Sequence, residues 1–223
     1  GELMGTLRQV TDNLAHDLRQ PLTRLRTRLE RMDDTPSTQA ALDDIDGVLA
    51  GFAALLSLSR LESGIAKDRR RETDIATLLD DMAALYAPAF EDAGMQLITE
   101  KPDVPTLMAD RDLLAQALIN LLENALRYAA TGKTCLTAKQ DGDMVHIIIS
   151  DEGPGINPSD YDRVQQRFVR FDTSRNTPGH GLGLSLVVAI AKAHNGTVQM
   201  RPNTPKGLVV CLILPFNASP SAE

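Results

Sequence analysis

The first third of the chain carries apolar residues at helical spacing in two consecutive segments. In the first segment the apolar positions recur at threes and fours, on one stripe of a helix: Leu7, Val10, Leu14, Leu18, Leu25, Leu29 and Met32. The second segment repeats more regularly, three-four-three-four: Leu42, Ile45, Leu49, Phe52 and Leu56. Residues 33–38 predict a turn in which Pro36 opens the second helix. The pattern therefore predicts a helical hairpin that ends at Ser63-Gly64.

A hairpin with one apolar stripe on each helix cannot enclose a core alone. Two such hairpins pair into a four-helix bundle that buries both stripes, so residues 1–63 predict a homodimer. The alternative is that the hairpin packs on the second domain of its own chain. Residues 67–72 contain three consecutive arginines and predict a solvated linker.

From Thr73 onward helical and strand-like patterns alternate. Helices are predicted over Ile75–Phe90, over Arg111–Ala129 with Asp110 as N-cap, and over Leu182–His194. Strands are predicted over Gln96–Thr99, Thr134–Lys139, Met144–Ser150, Thr197–Met200 and Leu208–Leu214, with an Asp141-Gly142 hairpin signal after the second. Helices on one face of a mixed sheet predict an α+β sandwich. Residues 153–180 lack periodicity, and glycines at both ends indicate a structureless functional lid.

Composition narrows the classes of function. The net charge of -7 and the pI near 5.1 argue against nucleic-acid binding, which needs a basic surface. No apolar run is long enough for a membrane span and no signal peptide opens the chain, so a cytosolic character is expected. Cys135 and Cys211 lie in apolar, strand-like runs, which favours reduced core packing over a disulfide or a metal site.

One face of the predicted helix at 111–129 is polar. Asn120, Asn124, Arg127 and Tyr128 fall within about a quarter turn of each other at about 100° per residue. The neighbouring side is apolar and predicted to face the core: Ala117, Leu118, Leu121, Leu122 and Ala125. Two amides and a guanidinium beside an apolar stripe can hold a metal and phosphate oxygens. Taken alone, this pattern favours a merely solvated helix face.

Glycines accompany a carboxylate further along the chain. Asp151 follows a predicted strand and precedes Gly153-Pro154-Gly155, so it can accept a hydrogen bond from an exocyclic amine while the glycines let backbone approach a flat base. Gly179, Gly181 and Gly183 lead into a helix whose N-terminal N–H groups can meet phosphate. The glycine spacing is not that of the dinucleotide fingerprint, and no Walker-type loop occurs.

His16 is the candidate nucleophile among four histidines. With Leu14 and Leu18 on the apolar seam, His16 points away from it, and Asp17 can accept the ring proton or orient the imidazole. Structural roles are predicted for the others: His146 in a strand, His180 between lid glycines, and His194 at a helix C-terminus, where positive charge is favourable.

The ordered set of motifs resembles the cytoplasmic part of a sensor histidine kinase of two-component signalling, of the Gram-negative membrane-receptor type. The motifs are His16-Asp17-Leu18-Arg19-Gln20-Pro21-Leu22, residues 120–127, Asp151-Glu152-Gly153-Pro154-Gly155 and residues 179–184. The resemblance implies a dimerisation and phosphotransfer domain at 1–63, a linker at 64–72, a catalytic domain at 73–217 and a tail at 218–223. It also implies the ATP-binding fold shared by histidine kinases, gyrase, Hsp90 and MutL.

The resemblance implies the ligands as well: Mg²⁺ on Asn120 and Asn124, phosphates on Arg127, Arg170 and Arg175, and adenine on Asp151. Residues 167–175 are similar to the kinases' phenylalanine box. Further nucleotide contacts are implied for Tyr128, Gly153, Gly155, Gly179, Gly181, Leu182 and Gly183. The hydrolases of that superfamily carry a water-activating Glu where this chain has Asn120, so transfer to a side chain is favoured over hydrolysis.

The implied activity is autophosphorylation of His16 by ATP and relay to an aspartate of a response regulator. Gln20 stands where the family usually has Thr or Asn, so weak phosphatase activity is expected. The chain is expected to be the cytoplasmic portion of a bacterial inner-membrane receptor. The alternatives are an ATPase or serine kinase of the same nucleotide fold, which His16 and Asn120 oppose, and a silent dimeric scaffold, which the intact nucleotide motifs oppose.

Overall fold

The computed structural model describes residues 20–33, 35–62, 69–100, 103–129, 132–166, 169 and 181–216. The described part of helix α1 covers residues 20–29, and helix α2 spans Pro36–Glu62. Thr35 Oγ1 accepts the Thr38 N–H at 3.2 Å and so caps the helix that Pro36 opens. Arg26 Nε donates to Asp46 Oδ1 at 2.7 Å and ties the two helices together. The predicted hairpin and its turn are confirmed over the described residues.

A five-stranded mixed sheet forms the centre of the second domain. Its strands are β2 (Met95–Thr99), β4 (Gly132–Asp141), β5 (Met144–Asp151), β6 (Thr197–Pro202) and β7 (Leu208–Pro215), in the order β2-β4-β5-β7-β6. The β2–β4 pair is parallel and the other three pairs are antiparallel. Helices α3 (Ile75–Asp92), α4 (Arg111–Ala129) and α6 (Gly183–Ala193) cover one face. The predicted α+β sandwich is confirmed.

The apolar core lies between this sheet face and the three helices. Alternate strand residues such as Leu136, Ile147 and Leu212 meet helix residues such as Leu118 and Leu186, and all five are almost fully buried. Helix α4 has the predicted bounds, and Asp110 Oδ1 caps it by accepting the N–H groups of Asp112 (3.1 Å) and Leu113 (3.2 Å).

Helix α2 also reaches this core. Its C-terminal half lies against α6, where Ala54 is buried with the core residues and Leu61 packs against them. The alternative predicted for the hairpin, packing on the second domain of its own chain, is therefore present for this part of α2.

Two short strands were missed by the sequence pattern. Strand β1 (Arg71–Thr73) pairs antiparallel with β3 (Leu107–Ala109), so Arg71 and Glu72 belong to a sheet and not to the solvated linker predicted at 67–72. Three residues are too few to show a period of two. The hairpin loop between β4 and β5 is Gly142-Asp143, one residue later than predicted, because Asp141 still pairs with Met144.

Two further predictions need correction. The run 153–180 is not structureless, since Pro158–Asp160 forms a 3₁₀ turn and α5 (Tyr161–Val164) a helical turn. Cys135 and Cys211 are free thiols as predicted, but they are half-buried on the sheet face that the helices leave uncovered, not in the core. An apolar run does not reveal which residues face the helices when both sheet faces carry apolar side chains.

Candidate nucleotide site

Helix α4 presents its polar face as predicted. Asn120 and Asn124 are half-buried, whereas Arg127 and Tyr128 near the helix end are exposed. The neighbouring side of the helix is buried: Ala117, Leu118, Leu121, Leu122 and Ala125. The apolar stripe thus fixes the rotation of α4 and places the two amides at the edge of the core.

The amide of Asn120 has a defined orientation. Its Nδ2 donates to the Gln116 carbonyl oxygen at 2.7 Å, and because a carbonyl only accepts, the atom facing it is the nitrogen. Oδ1 is thereby turned toward the start of α6, where a Cβ added at Gly183 would lie 2.9 Å from it. An amide oxygen is a suitable ligand for Mg²⁺, so Asn120 is compatible with the metal that the resemblance implies.

The N-terminus of α6 lies beside this amide oxygen. Gly181 has φ of +65° and turns the chain into the helix, and Leu182, the N-cap residue, provides no side-chain acceptor. Ser185 Oγ donates back to the Leu182 carbonyl at 2.9 Å, so it does not cap the first N–H groups. N–H groups that no described side chain caps, together with the helix dipole, favour an anion such as phosphate.

Asp151, the last residue of β5, has one carboxylate oxygen committed to the protein. Its Oδ1 accepts the N–H groups of Gly153 at 2.8 Å and Leu208 at 3.3 Å. Among the described residues no donor reaches Oδ2. Burial raises the pKa of this carboxyl, opposed by the two backbone hydrogen bonds. Oδ2 therefore remains available to accept a hydrogen bond from an exocyclic amine.

The two glycines after Asp151 are required by neighbouring backbone. A Cβ at Gly153 would lie 2.9 Å from Ala129 Cα, at the end of α4. Gly155 has φ of +71°, and a Cβ there would lie 2.7 Å from the Gly207 carbonyl oxygen. The approach of a base, expected from the sequence, stays a prediction, and the structure adds that each glycine makes a close contact with the protein itself.

Three residues that contact Asp151 were missed by the sequence pattern. Asn203 Nδ2 donates to the Asp151 carbonyl at 2.8 Å, Gly207 has no room for a side chain, and Leu208 donates its N–H. The Asn203–Gly207 stretch reads as a turn between two strands, with Asn, Pro and Gly in five residues. Nothing in a turn signal says which strand end it packs against.

Several predicted residues are not placed. His16, Asp17, Arg170, Arg175 and Gly179 lie outside the described residues, as does every residue of the phenylalanine box at 167–175 except 169. Gln20 is the first described residue of α1 and is exposed there.

His194 differs from its prediction. It ends α6 and is buried, its Nε2 accepts the Asp110 N–H at 3.0 Å, and its Nδ1 lies 2.8 Å from the Ile190 carbonyl. An acceptor at Nε2 requires a neutral ring with the proton on Nδ1. Burial lowers the pKa of His194, so the positive charge expected at this helix end is absent.

Comparison with known proteins agrees with this geometry. Residues 109–218 match the family described as histidine kinase-, DNA gyrase B-, and HSP90-like ATPase. The chain is 32% identical over 213 residues to the signal transduction histidine-protein kinase BaeS of Escherichia coli, covering 92% of this chain and 46% of BaeS. It is 36% identical over 202 residues to the sensor protein RstB of the same organism, covering 88% of this chain and 46% of RstB.

A solved structure gives the same result. Full-length ShkA, crystallised in complex with AMPPNP, superposes with a TM-score of 0.74 at 27% identity, covering 93% of this chain and 46% of ShkA. The chain thus spans slightly less than half the length of these relatives. Within the described residues, no helix combines the length and the apolar character that crossing a bilayer requires. The chain belongs to the family of sensor histidine kinases of two-component systems, and its second domain has the ATP-binding fold of that family.

Proposed function

We propose that this chain phosphorylates itself on His16 with ATP and passes the phosphoryl group to an aspartate of a response-regulator receiver domain. The observation that carries the nucleotide part is Oδ2 of the half-buried Asp151, an acceptor that no described donor reaches, while Oδ1 already accepts two backbone N–H groups. The similarity to histidine kinases over about nine-tenths of the chain supports His16 as the residue that accepts the phosphoryl group.

In this proposal the described residues bind both the adenine and the phosphates of ATP. The adenine amine donates to Asp151 Oδ2, and the phosphates meet Arg127 and the N–H groups at the start of α6. Tyr128, beside Arg127 at the exposed end of α4, flanks the nucleotide. Asn120 and Asn124 would hold Mg²⁺, which when bound neutralises phosphate charge. Arg170, Arg175 and Gly179 are proposed phosphate contacts from the sequence alone.

The transfer step needs little covalent chemistry from the protein. One ring nitrogen of His16 bonds to the γ-phosphorus while the bond from that phosphorus to the β–γ bridging oxygen breaks, and ADP leaves. Asp17 accepts the proton of the other ring nitrogen or holds it in place. Positioning of the reacting groups and neutralisation of phosphate charge accelerate the transfer. Position 120 is an asparagine, so it offers no carboxylate that could activate a competing water.

We also propose that residues 1–63 dimerise as a four-helix bundle on which the regulator docks. Large apolar side chains of the hairpin are exposed in the single chain: Leu25 (45%), Met32 (60%) and Val48 (37%). A second copy would cover such residues. Kinship with sensor kinases supports a cytoplasmic position in a bacterial inner-membrane receptor.

The test is incubation of the chain with γ-labelled ATP, followed by acid and alkali treatment. Phosphohistidine is acid-labile and stable to alkali, so the label should survive only alkali. His16→Ala should abolish labelling while affinity for a non-hydrolysable ATP analogue stays unchanged, and His146→Gln, a histidine far along the chain, should label normally. Acid-stable label would favour a serine kinase, release of phosphate without label an ATPase, and binding without either a scaffold.

Dephosphorylation of the regulator is the second proposed activity. Gln20 is exposed at the start of the described part of α1, four residues after His16 in the sequence, and its amide can orient an attacking water. The longer side chain loses more rotamer entropy than Thr does, so the activity should be weak. Decay of phosphorylated regulator should be faster with Gln20→Thr than with the natural chain and slowest with Gln20→Ala, all with His16 labelling kept. Equal decay with and without the chain would exclude this activity.

A further inference from the structure

We infer that the turn between β6 and β7, residues 203–207, positions Asp151 for its hydrogen bond with adenine, and that Asn203 is the positioning residue. This inference rests on the proposed nucleotide site, and it adds a determinant of base specificity that lies about fifty residues from Asp151 in the sequence.

The side chain of Asn203 is fixed at both of its polar atoms. Nδ2 donates to the Asp151 carbonyl oxygen at 2.8 Å, and Oδ1 accepts the Thr204 N–H at 2.9 Å. The Asn203 backbone N–H also donates to the Gly207 carbonyl at 3.0 Å, which closes the turn. Because both ends of the amide are engaged, its orientation is set by the turn and not by solvent.

The turn touches Asp151 at two further points. A Cβ added at Gly207 would lie 1.9 Å from the Asp151 carbonyl oxygen, so the turn backbone is packed directly against that peptide. Immediately after the turn, the Leu208 N–H donates to Asp151 Oδ1 at 3.3 Å. The peptide and the carboxylate of Asp151 are therefore held by the same five-residue turn and the residue that follows it.

This arrangement has a consequence for the base. Asp151 is the last residue of β5, and beyond it the chain leaves the sheet at Glu152. Without the bond from Asn203, the Asp151 peptide gains freedom to rotate, and its side chain rotates with it. A site built around one hydrogen bond discriminates against ligands that lack the matching donor only while that acceptor stays aligned. Asn203 should therefore govern the preference for adenine more than the affinity for the triphosphate.

Isothermal titration of the whole chain with two non-hydrolysable nucleotides separates these effects. One nucleotide carries adenine and the other hypoxanthine, which has an oxygen in place of the amine. For Asn203→Ala, the affinity for the adenine nucleotide should fall about fivefold to tenfold, the value of one neutral hydrogen bond. The affinity for the hypoxanthine nucleotide should change less than twofold, so the preference for adenine falls.

Two variants control for the turn itself. Asn203→Asp keeps the acceptor for the Thr204 N–H and replaces the donor to Asp151 by a charged oxygen that repels the Asp151 carbonyl, so it should lose the preference at least as fully as Asn203→Ala does, and it provides the test if the alanine variant does not fold. Thr204→Ala alters a neighbour whose side chain makes no hydrogen bond in the described structure, and it should leave both affinities unchanged. In an Asp151→Ala background, Asn203→Ala should cause no further loss of adenine affinity.

Equal loss of both nucleotides, or an undiminished loss in the Asp151→Ala background, would overturn the inference, because either means that the turn acts on the fold alone. Unchanged adenine preference in both Asn203 variants would overturn it too, while leaving the proposed kinase standing. Failure of the natural chain to bind either nucleotide would overturn the proposed function and this inference with it.

Discussion

The two ends of strand β5 both depend on a glycine with positive φ, but the surroundings differ. At the N-terminal end Gly142 has φ of +57° in the two-residue hairpin loop, and a Cβ there would meet nothing within 4 Å. At the C-terminal end Gly207 has φ of +114°, and a Cβ would lie 1.9 Å from the Asp151 carbonyl oxygen. One glycine meets a conformational need alone, whereas the other also allows two backbone segments to touch.

The difference follows from how many segments meet at each end. A single local turn closes the Gly142 end. At the Asp151 end, three segments that are distant from one another in sequence converge. They are the end of α4 at Ala129, the loop of Gly153 and Gly155, and the 203–207 turn. Convergence of distant segments fixes a carboxylate more narrowly than a hairpin fixes its own loop, and the nucleotide chemistry is proposed for the end where this occurs.

The difference between the two ends of β5 is tested most directly by a substitution at Gly207. Gly207→Ala should abolish measurable nucleotide binding and destabilise the domain by more than the left-handed penalty of about 1–2 kcal/mol, because the clash with Asp151 adds to that penalty. Gly142→Ala, its matched control, should cost only that penalty and leave nucleotide affinity unchanged. Denaturant unfolding and calorimetric titration measure both. Equal losses of stability in the two variants would show that the close approach at Gly207 relaxes without cost.

A second prediction uses the charge at the Asp151 end. Burial raises the pKa of the Asp151 carboxyl, so protonation begins at a higher pH than for an exposed aspartate. The charged form is the stronger acceptor for the adenine amine. Adenine-nucleotide affinity should therefore be full at neutral pH and fall as the pH falls toward this raised pKa. Asp151→Asn should bind more than about tenfold more weakly and lose the pH dependence. A hypoxanthine nucleotide, which has no exocyclic amine, serves as the control and should show no such dependence.

The sequence predicted the elements that carry a long local period and missed the contacts between them. Helix α4 has the predicted bounds, because its apolar stripe and the cap at Asp110 are both local signals. Strands β1 and β3 were missed because each has three residues. Asn203 was missed as part of the site because only the pairing of β5 with β7 brings it to Asp151.

A third prediction concerns the opposite end of α4 from the Gly153 contact. There the neutral His194 joins α6 to Asp110, and burial lowers its pKa below the ordinary value of 6.5, with Arg70 lowering it further and Asp110 opposing this. Since the folded pKa lies below the unfolded one, the stabilisation is fully present above about pH 6.5 and is lost as the pH falls through the folded pKa. The stability gap between the natural chain and His194→Leu should therefore shrink on acidification from neutral pH.

Denaturant midpoints at several pH values measure this gap. His146→Gln is the control, since that ring is half-buried on the uncovered sheet face, near Cys211. Nucleotide preference for adenine should be unchanged in both variants at neutral pH, because neither histidine lies at the Asp151 end. A gap for His194→Leu that widens on acidification would contradict the neutral assignment.

The smallest expected effect concerns the stability contribution of Thr134, the residue of β4 that pairs with Asp151. Thr134 pairs with Asp151 across the β4–β5 ladder, so both side chains stand on the helix-facing side of the sheet. Thr134 is fully buried, and its Oγ1 has no hydrogen-bond partner within the part of the chain that the structure describes. A buried hydroxyl without a partner destabilises the fold, so Thr134→Val, which is close in shape, should raise the free energy of unfolding by about 1 kcal/mol. Thr137→Val, on the opposite sheet face and half-buried, should change it by less than about 0.5 kcal/mol.

Because Thr134 Oγ1 is shielded from solvent in the free protein, nucleotide affinity should stay the same in both variants. A loss of stability in Thr134→Val would mean that the hydroxyl is paired in solution, and the Asp151 end would then contain no unsatisfied group at this position.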